Sequence, residues 1–287
     1  MKVLVTGGAG FIGSNLVDYL IKEGHEANIL DSIASGKKNI NKKAKFFEGD
    51  IRDEDDVRAA MHGCQAVFHL AAIADAREDG DDINYNVNYL GAKNVFDMAR
   101  ENGAKIIFTS SAAVYGDKQT ACKEDGKCEP IGEYGKNKLR SEKAAGRDAF
   151  ILRMFNVYGP RGNSVVNRFC ERIPEYNEIH VFGNGLQTRD FVHVNDVIEA
   201  LVLGLDRVGV YNAGTGIETT VLNLIDMIFN LTRNKPNVRY DMAKNEIKRS
   251  KADISKIKKL GWEPKITLKD GIKDLLKRQG VKLANEL

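Results

Sequence analysis

Two side chains that can move a proton stand four residues apart in this sequence, Tyr134 and Lys138. They lie in the stretch EYGKNKLRSEKAAGR, which we predict to be a helix that begins near Glu133, so they share one face of it, one turn apart. A tyrosine titrates near pH ~10, and its pKa must fall by about 3, roughly 4 kcal/mol, before it acts as a base near neutral pH. A neighbouring ammonium group supplies part of that change. The same spacing occurs by chance in many helices, where it marks only an exposed amphipathic face.

The context of this pair is set at the N-terminus, where a short apolar run meets a glycine-rich turn. The run KVLVT is followed by GGAGFIG and then by SNLVDYLIKEG, which predicts a strand, a turn and a helix. The glycine spacing lets backbone N–H groups approach a pyrophosphate at the helix N-terminus, where the helix dipole also favours an anion. We therefore expect a dinucleotide here, the alternative being a turn that merely packs the helix on the strand. The turn residues expected at the cofactor are Gly7, Gly10, Phe11, Ile12 and Gly13.

The identity of the dinucleotide follows from the next predicted strand, ANIL, which ends in Asp31. A carboxylate there accepts hydrogen bonds from both adenosine ribose hydroxyls and repels a 2′-phosphate, so the expected cofactor is NAD rather than NADP. Ser111 stands at the end of the predicted strand KIIFTSS, where its hydroxyl can hold a reacting oxygen. Serine, tyrosine and lysine around a nicotinamide suit proton transfer coupled to hydride transfer.

Predicted strands and helices alternate through the first half of the chain, which indicates an α/β fold with a parallel, doubly wound sheet. In such sheets the ligand lies at the carboxyl ends of the strands. Asp50 and Ile51 follow the predicted strand KFFEGD and are placed to reach the adenine. The residues expected along the cofactor path are Leu70, Ala71 and Ala72, which end the predicted strand QAVFHLAA. A further helix is predicted over 82–102, and the polar stretch 112–131 is predicted to be a mobile loop with solvated charges.

The composition excludes several other classes of protein. The chain has 287 residues, is 43% apolar and carries a formal net charge of +3, so neither nucleic acid nor a membrane is expected as a partner. It opens directly on a predicted strand, which predicts no signal peptide and a cytoplasmic location. Its four cysteines form no C-x-x-C pair, so we expect no metal site and reduced thiols, although Cys122 and Cys128 flank a polar loop and could pair if oxidised.

A series of motifs runs through the whole chain in a fixed order: VTGGAGFIGS, FHLAA, SSAAVYG, YGKNK, RMFNVYGPR, QTRDFVHVNDV, YNAGTG and KADISKIKKLGWEP. In this the sequence resembles the extended short-chain dehydrogenase/reductase family, and within it the UDP-glucose 4-epimerase-like sugar-nucleotide epimerases. The resemblance implies a Rossmann-type sheet with a smaller C-terminal α/β substrate-binding cap, tightly bound NAD and a UDP-sugar substrate. It also implies a homodimer that packs two helices from each subunit, near 82–102 and 133–147, into a four-helix bundle.

The resemblance also implies roles for individual residues. Tyr134 becomes the base, Lys138 lowers its pKa and holds the nicotinamide ribose, and Ser111 binds the reacting sugar hydroxyl. Asn88 supports the active site near the nicotinamide. The substrate side of the site consists of Asn156 and Arg189 at the diphosphate and Ser250 beside the 2-substituent of the sugar. A local salt bridge of Arg189 to Asp190 or another acid is the alternative for that residue.

The same resemblance implies two domains. Residues 1–155, with 195–214 returning to them, form the NAD-binding domain. Residues 156–194 and 215–287 form the domain that binds the nucleotide sugar, with Asp196 helping to hold it. His193 is expected to be structural, and the basic C-terminal stretch to be a solvated amphipathic helix.

Two alanines bear on the reaction. The related dehydratases carry an Asp-Glu pair after the serine or threonine. The related decarboxylases carry a Glu just before V-Y-G. At these positions this chain has Ala112 and Ala113. Without a carboxylic acid to protonate a leaving hydroxyl, elimination lacks a general acid. Epimerisation at C4 through a 4-keto sugar is therefore the leading hypothesis, with the gluco and galacto sugars as substrates. The alternatives are a UDP-uronate epimerase, another nucleotide-sugar oxidoreductase, or a non-catalytic NAD sensor.

Two departures from the family pattern limit the choice of substrate. The usual R-x-G-D stretch reads AKNE here, with Ala243 in place of the arginine and Glu246 in place of the acid. Lys244 or Arg249 could take over that diphosphate contact. The small Ser250 leaves room for an N-acetyl group, so N-acetylhexosamines stay open beside glucose and galactose.

Overall fold

The computed structural model describes residues 1–33, 38–73, 81–175, 178–242 and 247–284. The chain divides into two units. The first comprises Met1–Gly116, Lys127–Met154 and Ile198–Tyr211; the second comprises Asp117–Gly126, Phe155–Val197 and Asn212–Leu287.

The regular elements alternate over most of the chain. The strands are β1 Lys2–Thr6, β2 Glu26–Asp31, β3 Lys45–Glu48, β4 Ala66–His69, β5 Lys105–Ser111, β6 Phe150–Met154, β7 Asn156–Tyr158, β8 Glu178–Phe182, β9 Thr188–Arg189, β10 Phe191–His193, β11 Gly209–Ala213, β12 Thr219–Thr220 and β13 Asn237–Asp241. The α-helices are α1 Phe11–Lys22, α2 Glu54–Met61, α3 Asp81–Tyr85, α4 Ala92–Glu101, α5 Glu133–Ala145, α6 Val165–Arg172, α7 Val194–Val202, α8 Val221–Thr232, α9 Ser255–Lys258 and α10 Leu268–Arg278.

A seven-stranded sheet with the order β11-β6-β5-β4-β1-β2-β3 forms the centre of the first unit. Neighbouring strands from β6 to β3 run parallel. The strands are near-continuous apolar runs because helices cover both faces of such a sheet; Val3, Leu4 and Val5 of β1 are fully buried. The predicted doubly wound parallel fold is confirmed. The chain order reverses between β1 and β4, so the ligand crevice of this fold opens at their carboxyl ends.

The helix predicted over 82–102 is interrupted. After α3, a π-helical turn occupies Asn86–Gly91 before α4 begins. A π-turn frees a backbone carbonyl from the regular helical ladder, and here the Asn88 carbonyl accepts a hydrogen bond of 2.7 Å from the Ser141 hydroxyl. A side chain of another helix therefore stabilises the interruption, and periodicity along one segment does not reveal such a partner.

The second unit has its own apolar core. Its buried residues come mainly from α6, α8 and α10 and from β8, and include Phe169, Leu224, Ile228, Ile272 and Leu276. The predicted amphipathic C-terminal helix is thus present as α10, but its apolar face is packed into this core rather than solvated.

The segment 117–126, predicted to be a mobile loop with solvated charges, is fixed within the second unit. Cys122 forms a β-bridge with Ala252. The Glu124 carboxylate accepts a hydrogen bond of 2.9 Å from the Asn212 N–H, and Asp117 accepts from the N–H groups of residues 248 and 249. The prediction was wrong because the partners lie about 90 to 130 residues later in the chain.

No disulfide joins any two of the four cysteines, all of which lie in the described part of the chain. Among the described helices, none combines the length and the apolarity that a bilayer crossing requires. A search of the described part of the chain finds no cluster of three or more histidine, cysteine or acidic side chains suited to a metal ion.

Asp190 holds three segments of the second unit together. Its carboxylate is fully buried and accepts hydrogen bonds from the Thr215 N–H and hydroxyl, the Gly216 N–H and the Ala252 N–H, at 2.7 to 3.0 Å. These partners belong to the YNAGTG and KADIS motifs, so one side chain links motifs that are distant in the sequence. Burial raises the pKa of Asp190, and the four hydrogen bonds oppose that rise.

We therefore expect Asp190→Ala to lower the free energy of unfolding by about 3 kcal/mol or more, because several buried donors lose their acceptor and each costs about 1 to 3 kcal/mol. Chemical denaturation followed by circular dichroism measures the change. Asp226→Ala, on the exposed side of α8, is the matched control and should shift the unfolding free energy by less than about 0.5 kcal/mol. Equal effects of the two variants would contradict the role assigned to Asp190.

Candidate active site

The glycine-rich turn brings backbone atoms together more closely than any side chain would allow. Gly7 has a φ of +71°, and a Cβ on it would lie 2.7 Å from the Ala71 nitrogen after β4. A Cβ on Gly13 would lie 2.1 Å from the Gly7 carbonyl oxygen. The turn leads into α1, whose N-cap is Gly10 and carries no side-chain cap. The first-turn N–H groups and the positive end of the helix dipole therefore point to an anion-binding site, as a pyrophosphate requires.

Asp31 ends β2 beside this turn. One carboxylate oxygen accepts a hydrogen bond of 2.9 Å from the Ala9 N–H, and the other accepts one of 2.7 Å from the Ile33 N–H. The two bonds fix the carboxylate at the edge of the cavity while leaving it further acceptor capacity, since each oxygen has two lone pairs. This geometry suits the diol of an adenosine ribose.

A cavity of about 490 Å³ opens at the carboxyl ends of the strands, on both sides of the reversal between β1 and β4. Every residue predicted at the cofactor except Asn88 lines it: Gly7, Gly10, Phe11, Ile12, Gly13, Asp31, Asp50, Ile51, Leu70, Ala71, Ala72, Tyr134 and Lys138. Residues with no predicted role also line it, among them Ser32, Arg52, Thr109 and Met154. The size and the partly apolar lining are typical of small-molecule sites. The glycine turn, the fixed Asp31 and the cavity together fit a dinucleotide.

Asp50 lies in the cavity wall, but its carboxylate is engaged by a neighbour. The Arg52 guanidinium donates to it at 2.5 to 3.0 Å, and this ion pair lowers the pKa of Asp50. Arg52 was missed in the sequence because nothing about its type or spacing distinguishes it from an exposed arginine. Contact of Asp50 and Ile51 with the adenine stays a prediction.

A buried threonine–histidine pair holds the wall at residues 70–72. The Thr6 hydroxyl accepts from the Leu70 and Ala71 N–H groups, each at 3.3 Å, and lies 2.7 Å from His69 Nδ1. Burial lowers the pKa of His69 to about 3, so its ring is neutral. Because the threonine oxygen already accepts two bonds, its proton goes to His69 Nδ1. Sequence reasoning did not single out either residue.

Asn88 lies behind this wall rather than in the cavity. Its side chain accepts from the Ile73 N–H at 2.8 Å and donates to the Ile73 carbonyl at 2.9 Å. It also donates to the Asn84 side chain at 3.0 Å. The amide therefore fixes the backbone that follows Leu70, Ala71 and Ala72, which agrees with a supporting function.

Tyr134 and Lys138 lie on α5, opposite the end of β5. The Ser111 side chain is close enough to the tyrosine hydroxyl to act on its pKa. The Lys138 ammonium donates to the Thr109 carbonyl at 2.9 Å and lies 5.8 Å from the centre of the Tyr134 ring. The three residues predicted from scattered motifs are thus brought together.

Burial shifts the pKa values of this pair in the protein without nucleotide. Burial raises the pKa of Tyr134, and the Ser111 side chain opposes the rise without cancelling it. Burial also lowers the pKa of Lys138 to about 8. Lys138 is not among the groups that shift the pKa of Tyr134 in the protein without nucleotide. Its lowering of the tyrosine pKa in the complex with NAD stays a prediction.

Of the predicted substrate residues, Ser111 lies in the first unit and the other three lie in the second. Asn156 opens β7 and pairs with Phe191 of β10. The Arg189 guanidinium donates to the Thr188 and Ile247 carbonyls at 2.9 and 2.8 Å, and the described bonds of Asp190 go to residues 215, 216 and 252. Ser250 is buried, with 9% of its surface exposed. Their contacts with a diphosphate or a sugar stay predictions.

Two further residues of this unit can now be placed. The Arg249 guanidinium is paired with Glu218 through two contacts of 2.6 Å, so it is already engaged where we expected a substitute diphosphate ligand. Burial lowers the pKa of His193 to about 4, and its ring packs edge-on against Tyr158 at 5.3 Å, which agrees with a structural function. Ala243, Lys244 and Glu246 lie outside the described residues.

Comparison with known proteins gives the family. The sequence model of the NAD dependent epimerase/dehydratase family matches residues 3–214, which is most of the chain. The chain belongs to this family. The family consists of NAD-dependent enzymes, so the prediction of NAD as the cofactor is confirmed. The predicted membership of the extended short-chain dehydrogenase/reductase epimerases is likewise confirmed.

Three members of the family illustrate the range of likeness. A Methanocaldococcus jannaschii protein with the provisional name UDP-glucose 4-epimerase is 38% identical over 94% of this chain and 96% of its own length. UDP-glucuronic acid decarboxylase 1 of Arabidopsis thaliana is 32% identical over 100% of this chain and 71% of its own length. The crystal structure of the Thermotoga maritima UDP-glucose 4-epimerase with UDP-glucose has a TM-score of 0.91 and 35% identity, covering 98% of this chain and 99% of that one. The family relatives therefore include both epimerases and decarboxylases.

The position of Asp31 makes a prediction about the cofactor. Asp31→Asn should weaken NAD binding about tenfold or more, because a charged acceptor contributes about 1.5 to 3 kcal/mol per hydrogen bond. It should also narrow the preference for NAD over NADP, since the charge that repels a 2′-phosphate is gone. Isothermal titration with both nucleotides measures this. Asp55→Asn makes the same change on the exposed side of α2 and should leave both affinities unchanged. An unaltered NAD affinity in Asp31→Asn would contradict the ribose assignment.

Proposed function

We propose that this protein interconverts the C4 epimers of a UDP-hexose, with NAD regenerated in each turnover. The observation that carries the proposal is the arrangement at the cavity: Tyr134 and Lys138 both line it, one helical turn apart on α5, and the Lys138 ammonium donates to the Thr109 carbonyl of β5, the strand that Ser111 ends. Such a set handles the proton of a sugar hydroxyl. NAD, when bound, would be the oxidant that accepts a hydride from C4 of the sugar and later returns it.

The protein's own residues would do the following. Tyr134, as the phenolate, accepts the proton of the 4-hydroxyl while Ser111 donates a hydrogen bond to the reacting oxygen. Lys138 offsets the phenolate charge. Because burial by itself raises the pKa of Tyr134, formation of the phenolate near neutral pH requires a second positive charge, which the oxidised nicotinamide ring carries. Proton removal is thereby favoured when the oxidised cofactor is present. The same tyrosine returns the proton after the 4-keto sugar has turned over.

The acidic side chains near the cavity argue against elimination. Among its described lining residues the acids are Asp31 and Asp50, which follow β2 and β3. In the strand order, β2 is three positions from β5, so Asp31 lies on the order of 14 Å from Ser111 along the sheet edge. Ala112 and Ala113 form the turn after Ser111. Neither of these two acids is thus placed to protonate a leaving hydroxyl near Ser111, which favours epimerisation over dehydration.

The nucleotide-sugar side of the proposal depends on the second unit. Arg189 has a guanidinium suited to a diphosphate, and Asn156 lies on β7, next to the strand that follows Arg189. The small, buried Ser250 suits a sugar with a large 2-substituent. We propose UDP-glucose and UDP-galactose, with the N-acetylated forms as further substrates.

We also propose that the protein is a homodimer. Tyr85 and Leu90 are large apolar side chains on α3 and the π-turn, and they are 37% and 42% exposed. They lie on the segment that the family resemblance places at the dimer interface. The cytoplasmic location likewise stays a prediction.

The reaction is tested by proton NMR of the purified protein with UDP-galactose and then UDP-N-acetylgalactosamine, at catalytic NAD. We expect the gluco epimer to appear without net formation of NADH, and the faster substrate to report on the pocket at Ser250. Stoichiometric NADH, or loss of the sugar, would transfer the assignment to another nucleotide-sugar redox reaction. Turnover of UDP-glucuronate would favour the uronate alternatives. No change with any of these sugars would contradict the proposal.

The Tyr134→Phe variant separates a catalyst from a non-catalytic NAD sensor. We expect activity to fall by about 100-fold or more, the range that general acid–base catalysis contributes. NAD binding, measured by titration, should be retained because the ring is kept. The control is Tyr19→Phe on α1, which removes the same hydroxyl oxygen from a tyrosine that is not among the residues lining the cavity. Full activity in Tyr134→Phe would remove this tyrosine from the mechanism.

A further inference from the structure

A buried ion pair lies one helical turn beyond the proposed acid–base pair. Glu142 is on α5, four residues after Lys138 and eight after Tyr134, so the three side chains form one stripe of the helix. The Arg153 guanidinium on β6 donates to both carboxylate oxygens of Glu142, at 2.9 and 2.7 Å. Each side chain of the pair is only 6% exposed.

Further hydrogen bonds hold this ion pair in place. Glu142 also accepts from the Ser110 hydroxyl, and Arg153 donates to the Tyr115 hydroxyl at 3.0 Å. Burial works to lower the pKa of Arg153, but the Glu142 carboxylate and Tyr115 hold it above its usual range. A buried pair of this kind seldom adds net stability over an apolar packing of similar volume. A positional function is therefore the better explanation for it.

The partners of the pair flank Ser111 on both sides. Ser110 is the residue before it, and Tyr115 follows the short turn Ala112–Val114 that begins directly after it. The Glu142–Arg153 pair thus holds α5, the end of β5 and the turn after β5 in one arrangement. Rotation or sliding of α5 would break these bonds and move Tyr134 relative to Ser111.

The charges around Lys138 give the pair a second consequence. Within the described chain, the titratable groups around Lys138 are Tyr134 and Glu142 on α5 and the neutral His69 on β4. Arg153 and Tyr115 lie beyond Glu142. Burial lowers the pKa of Lys138, and the Glu142 carboxylate opposes that effect. Of the charged members of the network, Glu142 is therefore the one that acts on the pKa of Lys138.

We propose that Glu142, paired with Arg153, is the positioning residue of the Tyr134–Lys138 pair: it keeps the buried lysine charged and holds the segment around Ser111 in place. The catalytic consequence rests on the proposed function, whereas the protonation of Lys138 can be measured without any substrate.

The first test is a pH titration by proton–carbon NMR of the full-length chain labelled with ¹³C at lysine Cε, without added nucleotide and then saturated with NAD. The absence of its signal in Lys138→Met identifies the Lys138 resonance. An opposite charge within about 4 to 6 Å shifts a pKa by about 1 to 3, and side chains four residues apart on a helix are neighbours. In the nucleotide-free chain we therefore expect Glu142→Gln to lower the pKa of Lys138 from about 8 to about 7 or below, with a fall in the same direction with NAD.

Two further variants make the result unambiguous. Glu133→Gln changes the same chemical group on the partly exposed first turn of α5 and should leave the pKa of Lys138 unchanged. The double variant Glu142→Gln with Arg153→Met also removes the guanidinium that Glu142→Gln leaves buried without its carboxylate, and therefore folds more readily than Glu142→Gln. Its lysine pKa should lie below that of the unsubstituted protein. An unchanged pKa in a folded variant that lacks Glu142 would overturn the inference.

The catalytic consequence is tested on the NAD-saturated protein with the UDP-sugar that it turns over. Glu142→Gln should lower kcat about tenfold or more, about 1.4 kcal/mol of activation free energy, while KM for the sugar stays within about twofold. The loss should grow as the pH rises above the lowered pKa of Lys138. Equal loss at all pH values, with a raised KM, would indicate a merely structural function and overturn the inference. Absence of turnover in the unsubstituted protein would count against the proposed function, and the NMR titration would still decide the protonation of Lys138.

Discussion

The close approach of backbone to backbone at the glycine turn is the constraint on which the site depends. Gly13 lies so close to the Gly7 carbonyl, and Gly7 so close to the Ala71 nitrogen, that neither glycine has room for a Cβ. This contact fixes α1 above the carboxyl end of β1 and against the segment after β4. It thereby places the helix N-terminus at the reversal of strand order, where a parallel sheet leaves its crevice. Thr6, His69 and Asn88 complete the wall from behind.

A second constraint acts on α5, which carries three polar or charged side chains toward the sheet. Each of them has a partner at the end of β5 or on its neighbours: Tyr134 has the Ser111 side chain, Lys138 the Thr109 carbonyl, and Glu142 has Ser110 and Arg153. Burying these groups without partners would cost several kcal/mol, so the helix has one rotation that is acceptable. The geometry of the acid–base pair is thus a consequence of hydrogen-bond satisfaction. The same burial moves both pKa values away from those of exposed groups.

In the second unit, single buried carboxylates accept hydrogen bonds from backbone N–H groups of segments that are distant in the sequence. Asp190 accepts from residues 215, 216 and 252, and Asp196 accepts from the N–H groups of Lys265 and Ile266. The residues predicted at the nucleotide sugar, Asn156, Arg189 and Ser250, lie on the strands and loops that these contacts organise. The short polar segment 117–126 is drawn into the same network through Cys122 and Glu124.

The sequence by itself determined the doubly wound sheet, the glycine turn, the acid at the end of β2 and the stripe of Tyr134 and Lys138. These features depend on local periodicity and on spacings of a few residues, which can be recognised in the sequence without knowledge of the fold. Only the tertiary structure decided what those side chains meet. It showed the π-turn at Asn88, which needs Ser141 from another helix, and the pairing of Asp50 with Arg52. It also showed the fixed course of 117–126 and the raised pKa of Tyr134. Each of these depends on a partner or on a degree of burial that arises only when distant segments pack together, and no pattern along a single segment encodes it.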